Sequence, residues 1–131
     1  MAESSDKFLL RIFRNDDYNQ YISWWSEDGH VPPPSTSLPE AGLVCGKMKA
    51  VGFLANTDCD FGVITWWYAN PDNKGKESYK ALHKLFRGLL EVAQMYGKTK
   101  VFCYTNKRAI IRMLESLGFV NHDGHLVAEF N

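Results

Sequence analysis

The sequence predicts an α/β protein built on one central mixed sheet, mostly antiparallel and flanked by helices. Three observations lead there. Apolar residues follow a two-residue period in some segments and a helical period in others. The order of those segments is β-α-loop-β-β-β-α-β-α-β(-β), so a meander feeds a strand–helix–strand unit. The chain has 131 residues with 45% hydrophobic and 14% aromatic content, which supports one core and a single domain over 1–131.

Residues 7–14, "KFLLRIFR", read as the first strand. Asn15, Asp16 and Asp17 cap a helix that carries Tyr18, Tyr21, Ile22 and Trp25 at helical spacing and ends at Gly29. The stretch 30–40, "HVPPPSTSLPE", holds three consecutive prolines and is a loop, a candidate lid or wall over a cleft. Residues 42–57 read as two strands joined near Gly46–Lys49. A turn at Asp58–Asp60 leads into a third strand, "FGVITWWYA", over 61–69. A long helix follows from about Gly75 to Tyr96. Its apolar stripe is Tyr79, Leu82, Phe86, Leu89, Leu90 and Ala93, and Gly97 ends it. "KVFCYT", 100–105, has the apolar run of a central strand. Thr105 or Asn106 caps a last helix bearing Ala109, Ile110, Met113, Leu114 and Leu117, which Gly118 stops. The tail forms a hairpin around Asp123-Gly124.

Lys plus Arg and Asp plus Glu number 15 each, so no net basic field draws the chain onto nucleic acid. Cys45, Cys59 and Cys103 are widely spaced and contain no CxxC pair; free thiols in a reducing cytoplasm are expected. The N-terminus lacks the basic and apolar regions of a leader. No apolar run is long enough to span a bilayer. No metal site is expected: His122 and His125 flank the hairpin turn without a third ligand nearby in sequence.

The most informative stretch is "WWYANPDNKGKESYKALHKLF", residues 66–86. A strand, a tight turn with Gly75 and a helix N-terminus make a cradle for an anion, because the first N–H groups of a helix have no partner within it. Lys74 and Lys76 add charge, and Ser78 can donate. Glu77 repels an anion, and its side chain is expected to point to solvent. The same residues also suit a plain connection in which Asn73 caps the helix and nothing binds.

These signatures resemble the GNAT superfamily, N-acyltransferases that use acetyl-CoA. The register Ala69-Asn70-Pro71-Asp72-Asn73-Lys74-Gly75-Lys76-Glu77-Ser78-Tyr79, with Leu82 beyond, is similar to the family's strand, R-G-x-G-x-G/A loop and helix. The next strand ends at Asn106 and its helix stops at Gly118-Phe119, like the family's N-x-x-A…G-F pattern. "KAVGFLA", 49–55, resembles the glycine-bearing strand after a hairpin. The tryptophan pair of the first helix, the Pro-rich loop and "LPEAGLV" are similar to small acetyltransferase-like proteins of bacteriophages. The departures are Lys74 for arginine, Glu77 and Tyr79 for two small residues, no family carboxylate on the preceding strand, and no family tyrosine, Met113 or Leu114 standing in its place. The CoA-binding motif is therefore degenerate.

The resemblance implies a GNAT-like fold and an enzyme that moves an acyl group from acetyl-CoA to an amine by direct attack. Tyr68, Ala69, Asn70, Lys74, Gly75, Lys76, Ser78 and Tyr79 would bind the cofactor, its pantetheine arm pairing with the strand ending at Tyr68–Asn70. That strand and "VFCYT" would diverge to form the slot, and the N–H near Tyr68 would serve the oxyanion. Tyr104 is the candidate acid by position, and Asn106 would orient a water or the substrate. Strand alternation puts Trp66 and Trp67 on opposite faces, so one of them can face a substrate. His30 would act there as base if the loop folds over the cleft. The acceptor would be a small-molecule or protein amine, and pairing into a homodimer stays open. Two rival readings remain: a decayed GNAT-fold binding protein of a bacteriophage, and a phage acyltransferase acting on nucleic-acid bases, with Lys98, Lys100, Lys107 and Arg108 as a basic rim.

Overall fold

Alternation between branched or aromatic strands and amphipathic helices produces one sheet with a helix layer on each face. The computed structural model describes residues 7–130. Residues 1–6, on which the reading of a missing leader partly rests, and residue 131 lie outside the described residues. The strands are β1 (Leu10–Ile12), β2 (Ala41–Cys45), β3 (Ala50–Asn56), β4 (Phe61–Ala69), β5 (Lys100–Tyr104), β6 (Val120–His122) and β7 (His125–Glu129). The helices are α1 (Tyr18–Glu27), α2 (Glu77–Met95) and α3 (Arg108–Ser116). The sheet order is β1-β2-β3-β4-β5-β7-β6. Among the described residues only β4 and β5 are parallel neighbours, because α2 carries the chain back between them; the other pairs are antiparallel.

The helix α2 buries Leu82, Leu85, Phe86, Leu89 and Ala93 against one face of the sheet, together with α3's Ile110, Met113 and Leu114. Its stripe sits one step away from the expected one at the start: Leu85 is fully buried, whereas Tyr79 is 52% exposed. Tyr79 stacks instead on His83, one turn along. The opposite face holds a smaller, aromatic core of Tyr21, Trp24, Val44, Val51 and Phe53 under α1.

Two caps differ from expectation. The first residue before α2 is Lys76, and Asn73 instead donates its side-chain amide to Lys49 O (2.9 Å) and Ser78 Oγ (3.0 Å). Lys107 occupies the position before α3, while the Thr105 hydroxyl accepts the Lys107 N–H at 3.1 Å. Asp17 does cap its turn. It accepts the Arg14 N–H (2.8 Å) and both arms of Arg11 (2.8 Å each), which hold its carboxyl below the usual range. At the tail, Asp123 and Gly124 both have positive φ, the geometry a two-residue hairpin turn requires. The hairpin lies with β7 beside β5 and β6 outermost, an order the linear chain does not show.

Candidate functional site

The site is made where β4 and β5 part. Their pairing runs from Phe61↔Lys100 to Val63↔Phe102, and no further pair follows among the described residues. Each strand keeps its outer partner beyond that point: Tyr68 pairs with Val51 and Ala69 with Ala50, while Tyr104 pairs with His125. The inner edges are thus left as two rows of backbone groups facing a gap, and such groups favour a partner that can replace the missing strand.

A bulge in β4 accompanies the split. The register slips between Val51 and Phe53, and Trp66 has φ +54. A left-handed conformation at a non-glycine residue costs about 1–2 kcal/mol. Buried Tyr21 holds the bulge from the other side, its hydroxyl donating to Trp66 O at 2.6 Å. Burial pushes the Tyr21 pKa up, so this hydroxyl stays a donor at neutral pH. The extra residue shifts the side-chain phase. Ile64, Trp67 and Ala69 share the α2 face, whereas Trp66 and Tyr68 face α1. The two tryptophans do lie on opposite faces, as alternation predicts, but every side chain after them sits on the face opposite to that of an unbulged strand.

The resulting groove encloses about 770 Å³ and is lined by Trp66, Trp67, Tyr68, Ala69, Tyr104 and Asn106, with His30 at its rim. Seven of the residues picked from the sequence are therefore brought together. On the α2 face, Leu82 and Ile110 supply apolar wall, and the Lys107 ammonium stands 5.9 Å from the centre of the Trp67 ring. On the α1 face, Trp25 packs on Tyr68 at 4.7 Å and on Trp66 at 5.7 Å. The Tyr68 hydroxyl donates to the Asp28 carboxylate, and both burial and that carboxylate raise the Tyr68 pKa. Tyr104 is 60% exposed, its ring tilted over His125 at 4.8 Å. Of the Pro-rich loop only His30 reaches this groove. Ser37–Glu40 line a separate hollow of about 450 Å³ beside β3, so the loop is a wall there rather than a lid here.

The turn after β4 is tightly tied. Asn70 donates its side-chain amide to Met48 O (2.9 Å) and accepts the Asp72 N–H (2.9 Å), so its side chain builds the turn. Ser78 Oγ accepts from Asn73 and keeps its own hydrogen to donate. Gly75 has φ +58, and the Gly75 and Lys76 N–H groups have no acceptor among the described residues. Glu77 does not point to solvent. Its carboxylate accepts the Lys74 N–H (2.9 Å) and pairs with Lys7 (2.8 Å) and Lys49 (3.0 Å). The Lys7 ammonium, the Lys74 N–H and Lys49 together hold it down to about 2. An internal anion thus occupies part of the cradle that the glycine-rich loop would offer.

Sequence reasoning missed Asp28, Trp25, Thr105 and, as a groove residue, Lys107. A signal for Asp28 existed: an acid at the C-terminal end of a helix opposes the macrodipole, a local conflict that needs another reason to persist. Among the described residues, no group of three or more His, Cys, Asp and Glu is placed to hold a metal, and no helix is long and apolar enough to cross a membrane.

A seven-stranded mixed sheet, split between a bulged β4 and a parallel β5 and followed by a helix N-terminus, defines the fold of the GNAT N-acyltransferases. Solved structures show the same architecture. A GNAT-family acetyltransferase of Staphylococcus aureus is 9% identical, with a TM-score of 0.67 over 95% of this chain and 99% of the other. A Mycobacterium tuberculosis protein in complex with CoA is 19% identical, with a TM-score of 0.71 over 88% and 73%. N-acetylglutamate synthase of Neisseria gonorrhoeae, complexed with coenzyme A and L-arginine, is 12% identical, with a TM-score of 0.69 over 95% of this chain; the chain spans 34% of that protein. At these identities the likeness establishes the fold. No protein-family sequence profile matches the chain, and no curated protein does.

Proposed function

We propose that the protein binds acetyl-CoA in the split between β4 and β5 and transfers the acetyl group to an amine by direct attack. The observation that carries this reading is the unpaired inner edge of β4 beyond Val63, continuous with the turn at Asn70–Lys76. The pantetheine amides would take the place of the missing strand along Tyr68 and Ala69. The diphosphate would lie at the start of α2 on the Gly75 and Lys76 N–H groups, with Lys74, Ser78 and the outward face of Tyr79 around it. Glu77 would release Lys7 and Lys49 to the phosphates.

In the reaction the neutral amine nitrogen forms a bond to the thioester carbonyl carbon, and the carbonyl oxygen gains charge that a β4 N–H near Tyr68 would accept. The C–S bond then breaks, the sulfur leaves with the electron pair, and the Tyr104 hydroxyl protonates it. The proton lost by the amine goes to water or to His30, and Asn106 orients the incoming amine. Trp66 and Trp67 wall the acceptor and cofactor sides respectively.

The Glu77 clamp is the observation that favours the second reading, a GNAT fold kept for binding rather than for acyl transfer. Isothermal titration with CoA separates them from an empty fold. Heat and a thermal shift at sub-millimolar CoA, both lost in Lys74→Glu, are expected; neither at millimolar CoA removes the cofactor reading. Binding without thiol release in the presence of amines leaves the second.

A further inference from the structure

The two faces of the groove carry opposite charge. Lys107 stands over Trp67 on the side of α2 and α3. On the α1 side the one acidic lining residue among the described residues is Asp28, set beside the rings of Trp25, Trp66 and Tyr68. Asp28 accepts one hydrogen bond, from Tyr68, and no Lys or Arg pairs with it among the described residues. A carboxylate has room for about four hydrogen bonds, so most of its capacity is open. The faces of the surrounding rings are negative and attract cations.

We propose that this end of the groove selects a cationic amine with an unbranched aliphatic body, an alkyl-diamine type of acceptor, and turns away amines that carry a carboxylate. The inference rests on the acyltransfer reading for its purpose, though the binding site can be tested without it. An ammonium would sit between Asp28 and the Trp25 and Trp66 rings, with its methylenes along the aromatic wall. An acceptor carboxylate would meet Asp28 and the aromatic rings beside it, with no Lys or Arg among the described lining residues of that side to neutralise it. Asp28 is then the residue that sets specificity, and Tyr68 positions it.

Tryptophan fluorescence reports on the site directly, through Trp25 and Trp66. Cadaverine and glutamate are titrated into the native protein, first without CoA and then with CoA at saturation. Cadaverine is expected to bind at least about tenfold more tightly than glutamate in both series, the difference a charge-assisted hydrogen bond makes. Asp28→Asn should weaken cadaverine by about tenfold or more and leave CoA affinity unchanged, and Asp28→Glu should restore part of the loss. Equal affinity for the two amines overturns the inference, whatever the variants do. So does an Asp28→Asn protein that binds CoA normally and cadaverine undiminished. A chain that binds cadaverine selectively but not CoA keeps this site and removes the cofactor reading.

Discussion

Gly52→Ala tests whether the bulge in β4 shapes the groove. Gly52 lies between the two residues whose pairing with β4 slips, across from the bulge. A Cβ there would stand 2.9 Å from Leu85 Cδ2, 3.2 Å from Trp67 Cβ and 3.3 Å from Leu89 Cδ1. The leucine ends can turn only within a closed core, since Leu85 and Leu89 are both fully buried. Trp67 Cβ is fixed to the bulge backbone, and its ring meets Phe86 edge-on at 5.5 Å. Overpacking by a methyl group costs about 1–3 kcal/mol. Alanine returns about 0.4–1 kcal/mol by restricting the unfolded chain. A net loss of about 0.5–2 kcal/mol follows, and a chain of this length loses roughly 3–6 °C in Tm for each kcal/mol. The displacement runs into Trp67 and hence into the groove, so CoA affinity should fall along with stability. Urea denaturation and CoA titration of the same preparation measure both. An alanine variant as stable as its parent, with CoA affinity unchanged, would refute the claim that a bare backbone at Gly52 makes room for the bulge.

Glu77→Gln should tighten CoA binding by several-fold in calorimetry, because it removes the charge that pairs with Lys7 and Lys49 and repels phosphate; weaker binding would contradict the clamp. The same variant has a pH signature. The Glu77 carboxyl is held at about 2 against an unfolded value of roughly 4.3, so its contribution to stability is full above the unfolded value and disappears as pH falls toward 2. Stability curves of parent and variant should therefore converge in acid and separate above about pH 5. Burial pushes the thiols of Cys45 to about 11 and of Cys103 to about 12, whereas Cys59 is exposed. A thiol reagent at neutral pH should titrate one cysteine in the native chain and three in denaturant; two or more fast native thiols would show that the core opens. Tyr104→Phe should lower thiol release from acetyl-CoA in the presence of an amine by about a hundredfold and leave CoA affinity intact, and an unchanged rate would remove Tyr104 as the acid.

Element types were legible along the chain because they depend on local periodicity and on punctuation by residues such as Gly97, Gly118 and the Asp123-Gly124 pair. The pattern of "FGVITWWYA" marked a strand, and the Asn70–Gly75 turn marked a break before a helix. From these the order of elements, the single sheet and most of the groove-lining residues of β4 and β5 could be set out. Three features could not. The bulge at Trp66 depends on Gly52 and on the Tyr21 hydroxyl, residues far away in sequence that meet only across the sheet. Asp28 joins the site because α1 packs over the end of β4, bringing it to Tyr68 forty residues later. Glu77 turns inward because Lys7 and Lys49, from two other strand ends, converge on it.

What the linear chain determined, then, was which segments are strands and helices, and that a strand end meets a helix start where an anion could rest. Tertiary structure alone decided where the sheet splits, which faces Trp67, Tyr68 and Ala69 present, and that the anion cradle already holds a carboxylate. The reason is physical: periodicity acts over a few residues, whereas register, burial and charge pairing are set by contacts between segments that the chain brings together only when it folds.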